Sequence, residues 1–195
     1  KKYALSLGIV VEILGVTFKQ DEGMGLPSEI QQLALIDDNR SAGQHLVEQH
    51  GLVLGDDEHP LKTPLVSDVF RIAHAHAHAT TFVWTNFDLI VDKSFYKVII
   101  DAASTTTALS ITRFDLLISR NEHPSIAHWS VDDIYTFINT RGHGGHDCFV
   151  FPTRWIPCMQ LDKMVFGVGG WGAAFLNELY FLADVDVPTT NNNNN

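Results

Sequence analysis

Residues 64–90 decide the fold, and they read PLVSDVFRIAHAHAHATTFVWTNFDLI. In the first part of this stretch, apolar residues recur at helical spacing, at Val66, Val69, Phe70, Ala73 and Ala77. Pro64 has the position that a first helical residue prefers, so we predict a helix over 64–79. The β-rich run Phe82-Val83-Trp84 comes next and predicts a strand at about 81–87.

The same alternation of helices and short apolar strands continues through the rest of the chain. We expect further strands at Ala108 to Thr112 and at Phe149-Val150-Phe151, and further helices at 94–103 and 171–182. This alternation is typical of crossover units and predicts an α/β fold with a mixed, largely parallel sheet flanked by helices. Ligands of such sheets bind outside the carboxyl ends of the strands.

Other parts of the chain carry weaker structural signals. Capping-box patterns begin at Ser28, Ser41 and Ser130, and the second of these helices should end at Gly51. The apolar residues of 1–18 predict one or two buried strands.

Length and composition indicate one folded domain. The chain has 195 residues, of which 45% are hydrophobic and 18% charged, so we expect a single α/β domain over 1–190. Residues 191–195 form a low-complexity run of Asn that cannot contribute to a core.

The charge and hydropathy of the chain exclude two classes of partner. The formal net charge is -10, and a surface this acidic repels phosphate backbones, so we expect no nucleic-acid partner. No apolar run reaches the roughly 20 residues of a membrane-spanning helix, so we expect no transmembrane segment in this chain.

The tripeptide Asn39-Arg40-Ser41 fits the N-glycosylation pattern and is compatible with the secretory pathway.

The first chemical motif follows the strand predicted at 81–87. Asn86 and Asp88 lie two residues apart, so in extended chain they point to the same side. Such a pair of oxygen-bearing side chains can hold a hard divalent cation whose shell is completed by ligand phosphates. The structural alternative is that Asp88 caps a turn and Asn86 bonds local backbone.

The second motif is the glycine-rich segment RGHGGHDCFVFP at 141–152, which opens onto a strand. Asp147 at the edge of this strand can serve as a general base, and His146 can serve as base or metal ligand. The alternative is a glycine-rich turn with solvated histidines. We predict that Asp88 and Asp147 face one cleft, about a sugar's width apart, and that Asp147 has no basic partner because no Lys or Arg lies within three positions of it.

Three further features are more weakly indicative. The segment FGVGGWG at 166–172 can cradle a phosphate before a helix, and Trp171 can stack on a sugar or anchor that helix in the core. The tract His74-Ala75-His76-Ala77-His78 places His74 and His78 one helical turn apart, but a third metal ligand is missing.

Cys148 and Cys158 are not expected to form a disulfide, since Cys148 lies in an apolar strand. Gly-x-Ser-x-Gly and His-Glu-x-x-His motifs are absent from the sequence, which excludes the commonest hydrolase classes.

Several of these motifs together resemble a family of glycosyltransferase-like proteins, over roughly Pro64 to Leu179. The matching segments, in order, are LVSDV at 65–69, WTNFDLI at 84–90, Phe95-Tyr96, Ile111-Thr112-Arg113, HDCFVF at 146–151, and Gly167 with Gly170-Trp171-Gly172.

The resemblance implies a nucleotide-diphospho-sugar transferase fold of the A type. Such enzymes transfer a sugar from a nucleotide-diphospho-sugar to an acceptor hydroxyl on a carbohydrate or glycoprotein, and an Asp-x-Asp motif holds Mn2+ or Mg2+ with the sugar diphosphate. That motif corresponds here to Asn86-Phe87-Asp88, with one carboxylate instead of two. Asp147 corresponds to the acidic residue that acts as base. The alternative is a non-catalytic carbohydrate-binding or structural protein that retains the fold.

Overall fold

The computed structural model describes residues 2–21, 32–37, 41, 48–49, 51, 63–86, 89, 91, 94–105, 108–116, 140–142, 145–167 and 170–185. Two compact units are present, one formed by Lys1–Thr80 with Pro152–Asn195 and the other by Thr81–Phe151. The expectation of one domain over 1–190 stays a prediction.

Where the structure describes it, the first unit combines α-helices and short 3-10 helices with a pair of strands. Its elements are α1 (Lys2–Ser6), β1 (Leu14–Phe18), a 3-10 helix (Lys19–Asp21), β2 (Gln32–Ile36), α2 (Val66–His76), a second 3-10 helix (Thr153–Cys158) and α4 (Trp171–Val185). Strands β1 and β2 are parallel, with Leu14 opposite Gln32 and Phe18 opposite Ile36. Helix α2 packs against both strands and against the second 3-10 helix.

Helix α2 confirms the amphipathic pattern of the decisive stretch. Its buried apolar residues, spaced three or four positions apart, are Val66, Val69, Phe70 and Ala73. The predicted start at Pro64 is wrong, because Pro64 forms an isolated β-bridge with Ser41 and the helix begins at Val66. Leu65 bridges to Val165, and the Val66 amide donates to the Met164 carbonyl at 2.9 Å, so extended pairing holds the residues before the helix.

The aromatic core of the first unit lies between α2 and α4. Phe70 and Phe175 are both fully buried, and their rings stack with centroids 5.2 Å apart and an interplanar angle of 12°. Leu179 and Leu182 continue the buried face of α4 at helical spacing, which confirms the helix expected at 171–182. Gly167 and Gly170 have φ angles of 76° and 87°, so backbone conformation requires glycine at both positions.

The N-terminal residues differ from the expected buried strands. Residues Lys2–Ser6 are helical, and Gly8 with φ 73° follows this helix in the left-handed conformation common after helix ends. Strand β1 agrees with the expectation of one or two strands in 1–18, but Phe18 is its one buried residue, and Val10, between α1 and β1, is 78% exposed. The expected helices at Ser28 and Ser130 lie outside the described residues. Of the helix expected to end at Gly51, Glu48 and Gln49 are helical and Gly51 has φ 62°, which agrees with that end.

The second unit contains two antiparallel arrangements. Its elements are β3 (Thr81–Thr85), α3 (Ser94–Ser104), β4 (Leu109–Ile111), β5 (Phe114–Leu116), β6 (Thr140–Gly142) and β7 (Cys148–Pro152). One sheet has the order β3-β7-β4, and β5 pairs with β6 antiparallel. Strand β7 is antiparallel to β4, with Leu109 opposite Val150 and Ile111 opposite Cys148.

Strand β7 occupies the centre of this sheet because its residues suit burial on both faces. Every residue of Cys148–Pro152 is buried, as a continuous apolar run predicts. Bonds at both ends show that β3 is antiparallel to β7: the Thr153 amide donates to the Thr80 carbonyl, and Asn86 bonds Asp147. Among the described strands only β1 and β2 pair in parallel. The described strands therefore do not support the expected largely parallel sheet.

Candidate functional site

The ends of three strands meet at one edge of the β3-β7-β4 sheet. Strand β3 ends at Thr85, β4 ends at Ile111, and β7 begins at Cys148. Because both neighbours are antiparallel to β7, their carboxyl ends lie beside its amino end. Five polar side chains gather there, and we call them the strand-end cluster: Asn86, Ser110, Arg113, His146 and Asp147.

Asp147 is held by two donors from two different strand ends. The Asn86 amide Nδ2 donates to Asp147 Oδ1 at 3.1 Å, and Arg113 Nη1 lies 3.0 Å from the same oxygen. The Asp147 side chain is 13% exposed and that of Arg113 is 28% exposed. A carboxylate this far from water needs a compensating charge and hydrogen bonds, and the cluster supplies both at Oδ1.

The ion pair corrects the expectation that Asp147 has no basic partner. Arg113 lies 34 positions before Asp147 in the sequence, so proximity along the chain gave no sign of the pair. The antiparallel register sets Ile111 opposite Cys148, so Asp147, one residue before Cys148, and Arg113, two residues after Ile111, lie at the same end of the strand pair. Strand pairing therefore brings the two charges together.

His146 is oriented by a side chain of the neighbouring strand. Ser110 Oγ and His146 Nδ1 are 2.8 Å apart, and both side chains are half-buried. The imidazole also lies beside the Phe149 ring, with centroids 6.3 Å apart. A histidine held through one ring nitrogen presents the other nitrogen for acid, base or ligand chemistry.

Cys148 adjoins the cluster but is a poor nucleophile. Burial raises the pKa of its thiol from 9.0 to about 11, although a hydrogen bond with the Thr85 side chain acts in the opposite direction. Both Cys148 and Cys158 are free thiols, which confirms the expectation of no disulfide. At neutral pH the Cys148 thiol is protonated and behaves as a small apolar group.

The described residues of the cluster include one of the two expected cation ligands, Asn86, but not the other, Asp88. Asn86 offers its amide nitrogen to Asp147, and the Arg113 guanidinium already supplies positive charge to that carboxylate. Among the residues that the structure describes, no group of three His, Cys, Asp or Glu side chains is placed to hold a metal. Asp88 lies outside the described residues, so both the ligand pair of Asn86 with Asp88 and the cleft shared by Asp88 and Asp147 stay predictions.

Trp171 belongs to the unit formed by Lys1–Thr80 and Pro152–Asn195, whereas the strand-end cluster belongs to the other unit. Its ring meets Phe166 edge-on, with centroids 4.9 Å apart, and lies 6.3 Å from Phe175. These contacts favour the expected role as a helix anchor. Stacking on a sugar stays a prediction.

The histidine tract lies on and just after α2. The helix includes His74 and ends at His76, so His78 lies outside it. The expectation that His74 and His78 lie one helical turn apart is therefore wrong. His78 instead pairs with Glu12, with Nδ1 and Oε1 3.4 Å apart. The His78 side chain is 81% exposed and that of Glu12 is 42% exposed, and metal binding by the tract stays untested.

Two residues of the cluster, Ser110 and Arg113, were not predicted as site residues. Ser110 lies in the middle of the short strand β4 and Arg113 lies two residues after its end, beside the strand that follows Asp147. Those positions become informative only when the antiparallel pairing of β4 with β7 is known.

The comparisons with known proteins give no relative. No protein-family model, curated protein or solved structure matches the chain. Among the described residues, no helix is both long and apolar enough to cross a lipid bilayer.

Proposed function

We propose that the chain is a glycosyltransferase-like protein that moves a sugar from a nucleotide-diphospho-sugar to an acceptor hydroxyl on a carbohydrate or glycoprotein. One observation carries this proposal: the Asn86 amide, from the first acidic motif, bonds the Asp147 carboxylate, from the second, at 3.1 Å. The two motifs that the resemblance singles out therefore contribute to one constellation. Arg113, from a third matching segment, completes it.

The proposed chemistry is an inverting displacement. The acceptor oxygen forms a bond to the anomeric carbon, and the bond from that carbon to the diphosphate oxygen breaks. Its electron pair leaves with the nucleoside diphosphate, and the hydroxyl proton passes to a base of the protein. Asp147 and His146 are the two groups of the cluster able to take that proton.

Arg113 and Asn86 have supporting roles in this proposal. Arg113 is the cation of the cluster and carries donors suited to planar oxyanions. Its ion pair and the Asn86 amide fix the Asp147 carboxylate at the sheet edge. A fixed group at a reacting centre costs no reorganisation during the reaction.

A divalent cation enters the proposal only through Asp88 with Asn86. Mn2+ or Mg2+ held there would neutralise the leaving diphosphate as a Lewis acid. The test of this part is a titration of the protein with Mn2+, followed by uridine or guanosine diphosphate. Tight binding of Mn2+ that Asp88→Ala abolishes supports the cation, and binding unaffected by that substitution contradicts it.

The transfer itself is tested by donor turnover. The protein is incubated with uridine- and guanosine-diphospho-sugars, with and without mono- and oligosaccharide acceptors, and released nucleoside diphosphate is quantified. We expect the release of nucleoside diphosphate to rise when one class of acceptor is present. The double variant His146→Gln/Asp147→Asn should lose this release but still bind the donor. Neither release nor binding of any donor, by a protein shown to be folded, contradicts the proposal.

A non-catalytic carbohydrate-binding or structural protein is the second candidate, and one observation favours it. Asp147 Oδ1 accepts a hydrogen bond from the Asn86 amide and pairs with the Arg113 guanidinium, and these contacts tie three strand ends together, as a structural role requires. Binding to a glycan array without nucleotide dependence, together with no donor turnover, would favour this candidate.

A further inference from the structure

Asp147 and His146, the two groups of the strand-end cluster that can accept a proton, differ in which of their atoms form contacts with the protein. Asp147 Oδ1 already receives a hydrogen bond from Asn86 and an ion pair from Arg113. His146 is engaged at Nδ1, by Ser110 at 2.8 Å. Among the residues that the structure describes, none forms a hydrogen bond with His146 Nε2. Nε2 is also not one of the fully buried polar atoms that lack a partner. It is therefore not fully buried, and it is the ring nitrogen left for a ligand.

We propose that His146 is the base of this site, that Nε2 is its proton acceptor, and that Ser110 is the positioning residue that fixes its ring and tautomer. The inference rests on the proposed function for the identity of the proton donor, an acceptor hydroxyl. Nε2 can accept a proton only when the neutral ring carries its own proton on Nδ1. The Ser110 hydroxyl oxygen, 2.8 Å away, is the acceptor that holds that Nδ1 proton.

The position of Ser110 makes it suitable for this role. It lies in the middle of β4, and its partner across the strands is Phe149, three residues after His146. Strand pairing fixes the serine backbone, and a serine side chain has one rotatable bond before its oxygen. The Phe149 ring lies beside the imidazole at 6.3 Å and limits its rotation. The ring is thus restrained from two sides by one pair of strands.

The proposed step balances within the displacement described above. The acceptor O–H bond breaks, and its proton joins the Nε2 lone pair to give the imidazolium. The electron pair of that bond becomes available to the oxygen, which bonds to the anomeric carbon as the diphosphate departs with its own electron pair. Water removes the Nε2 proton after the product leaves, which restores the neutral ring.

The tautomer is measured directly by NMR on protein labelled with 15N at histidine. Two-bond 1H–15N correlations distinguish a protonated ring nitrogen from an unprotonated one, at a pH high enough to keep the imidazole neutral. His146 is assigned among the ten histidines by the signals that His146→Gln removes. We expect a protonated Nδ1 and an unprotonated Nε2 in the unaltered protein.

Three variants test the positioning role. Ser110→Ala should turn the His146 signals into those of a tautomer mixture, and Ser110→Thr, which keeps the hydroxyl, should restore the original pattern. Thr112→Ala is the matched control, because Thr112 is the exposed neighbour at the same strand end and should leave His146 unchanged. A proton on Nε2 in the unaltered protein, or a Ser110→Ala spectrum identical to it, overturns the inference.

A second readout keeps the test independent of transfer. Diethylpyrocarbonate modifies unprotonated imidazole nitrogens, and peptide mass spectrometry measures its rate at His146. We expect Ser110→Ala to change that rate severalfold and Ser110→Thr to restore it, while an equal rate in all three proteins contradicts the role of Ser110. Failure of donor turnover with the expected tautomer would refute only the proposed function, whereas donor turnover with a protonated Nε2 would refute only this inference.

Discussion

At the residue scale, Arg113 is the basic side chain that pairs with Asp147. The carboxylate is 13% exposed, and Arg113 is a cation in contact with it. We expect Arg113→Ala to lower the free energy of unfolding by about 1–3 kcal/mol, because it leaves a largely buried carboxylate without that charge. Urea denaturation followed by circular dichroism measures this change.

The controls for Arg113→Ala come from a second ion pair and from the double variant. Lys97 pairs with Asp101 at 2.9 Å, but both side chains are well exposed, so Lys97→Ala should change stability by no more than about 0.5 kcal/mol. Adding Asp147→Ala to Arg113→Ala should recover part of the loss. If the stability changes of the two single variants simply add up in the double variant, the ion pair contributes nothing to the free energy of unfolding.

Cys148 and Cys158 should differ in reactivity. Cys148 is 3% exposed and its thiol has a raised pKa, whereas Cys158 is exposed. We expect iodoacetamide to alkylate Cys158 in the native protein and to reach Cys148 only after unfolding. Peptide mass spectrometry locates the label, and rapid native labelling of Cys148 would contradict the buried position.

The raised pKa of Cys148 also predicts a loss of stability at high pH. Below pH 9.0 the thiol is neutral in both folded and unfolded chains. As pH rises from 9.0 to about 11, the unfolded chain ionises while the folded thiol stays protonated, so stability falls. The loss relative to Cys148→Ala, measured by urea denaturation at several pH values, should be on the order of 2 kcal/mol.

The sequence indicated part of the cluster and missed the rest for a physical reason. Asn86 and Asp147 belong to dense polar motifs beside β-rich runs, so each could be singled out alone. Ser110 and Arg113 belong to no such motif, and only the register of β4 against β7 gives them a function. Register depends on long-range pairing, which a local pattern does not encode.

At the element scale, α2 and α4 depend on their shared aromatic contact. Phe175 is fully buried and stacks on Phe70 at 5.2 Å. We expect Phe175→Ala to cost about 3–5 kcal/mol, because it removes buried area and leaves a cavity. Tyr180→Ala, on the same helix but 64% exposed, is the control and should cost about 0.5 kcal/mol or less. Equal losses in thermal or urea unfolding would contradict the packing.

Helices and strands with strong periodicity were predictable, whereas their pairing was not. The spacing of Val66, Val69 and Phe70 identified α2, and the apolar run at 149–151 identified β7. The alternation of helices with strands suggested parallel neighbours, yet β7 lies antiparallel between β3 and β4. Alternation along the chain constrains which elements exist, but side-chain packing determines which strands become neighbours.

At the scale of the whole molecule, the net charge of -10 should affect how fast the proposed anionic donor binds. Long-range repulsion slows the approach of a nucleoside diphosphate, and salt screens it over a Debye length that falls from about 30 Å at 0.01 M to about 8 Å at 0.15 M. We therefore expect the association rate of uridine diphosphate to rise over that range. Stopped-flow tryptophan fluorescence measures the rate, and a steep fall with salt would contradict this expectation.

The central place of β7 also governs the order in which the second unit can fold. In the chain, β3 and β4 both precede β7, and neither pairs with the other in their shared sheet. Asn86 and Asp147 are separated by 61 positions, so their contact closes a long loop and contributes to slow folding. During synthesis, β3 and β4 therefore emerge before their common partner and present open strand edges to other chains. A chain that ends before Cys148 should therefore be prone to aggregate, because β3 and β4 would lack the strand that lies between them.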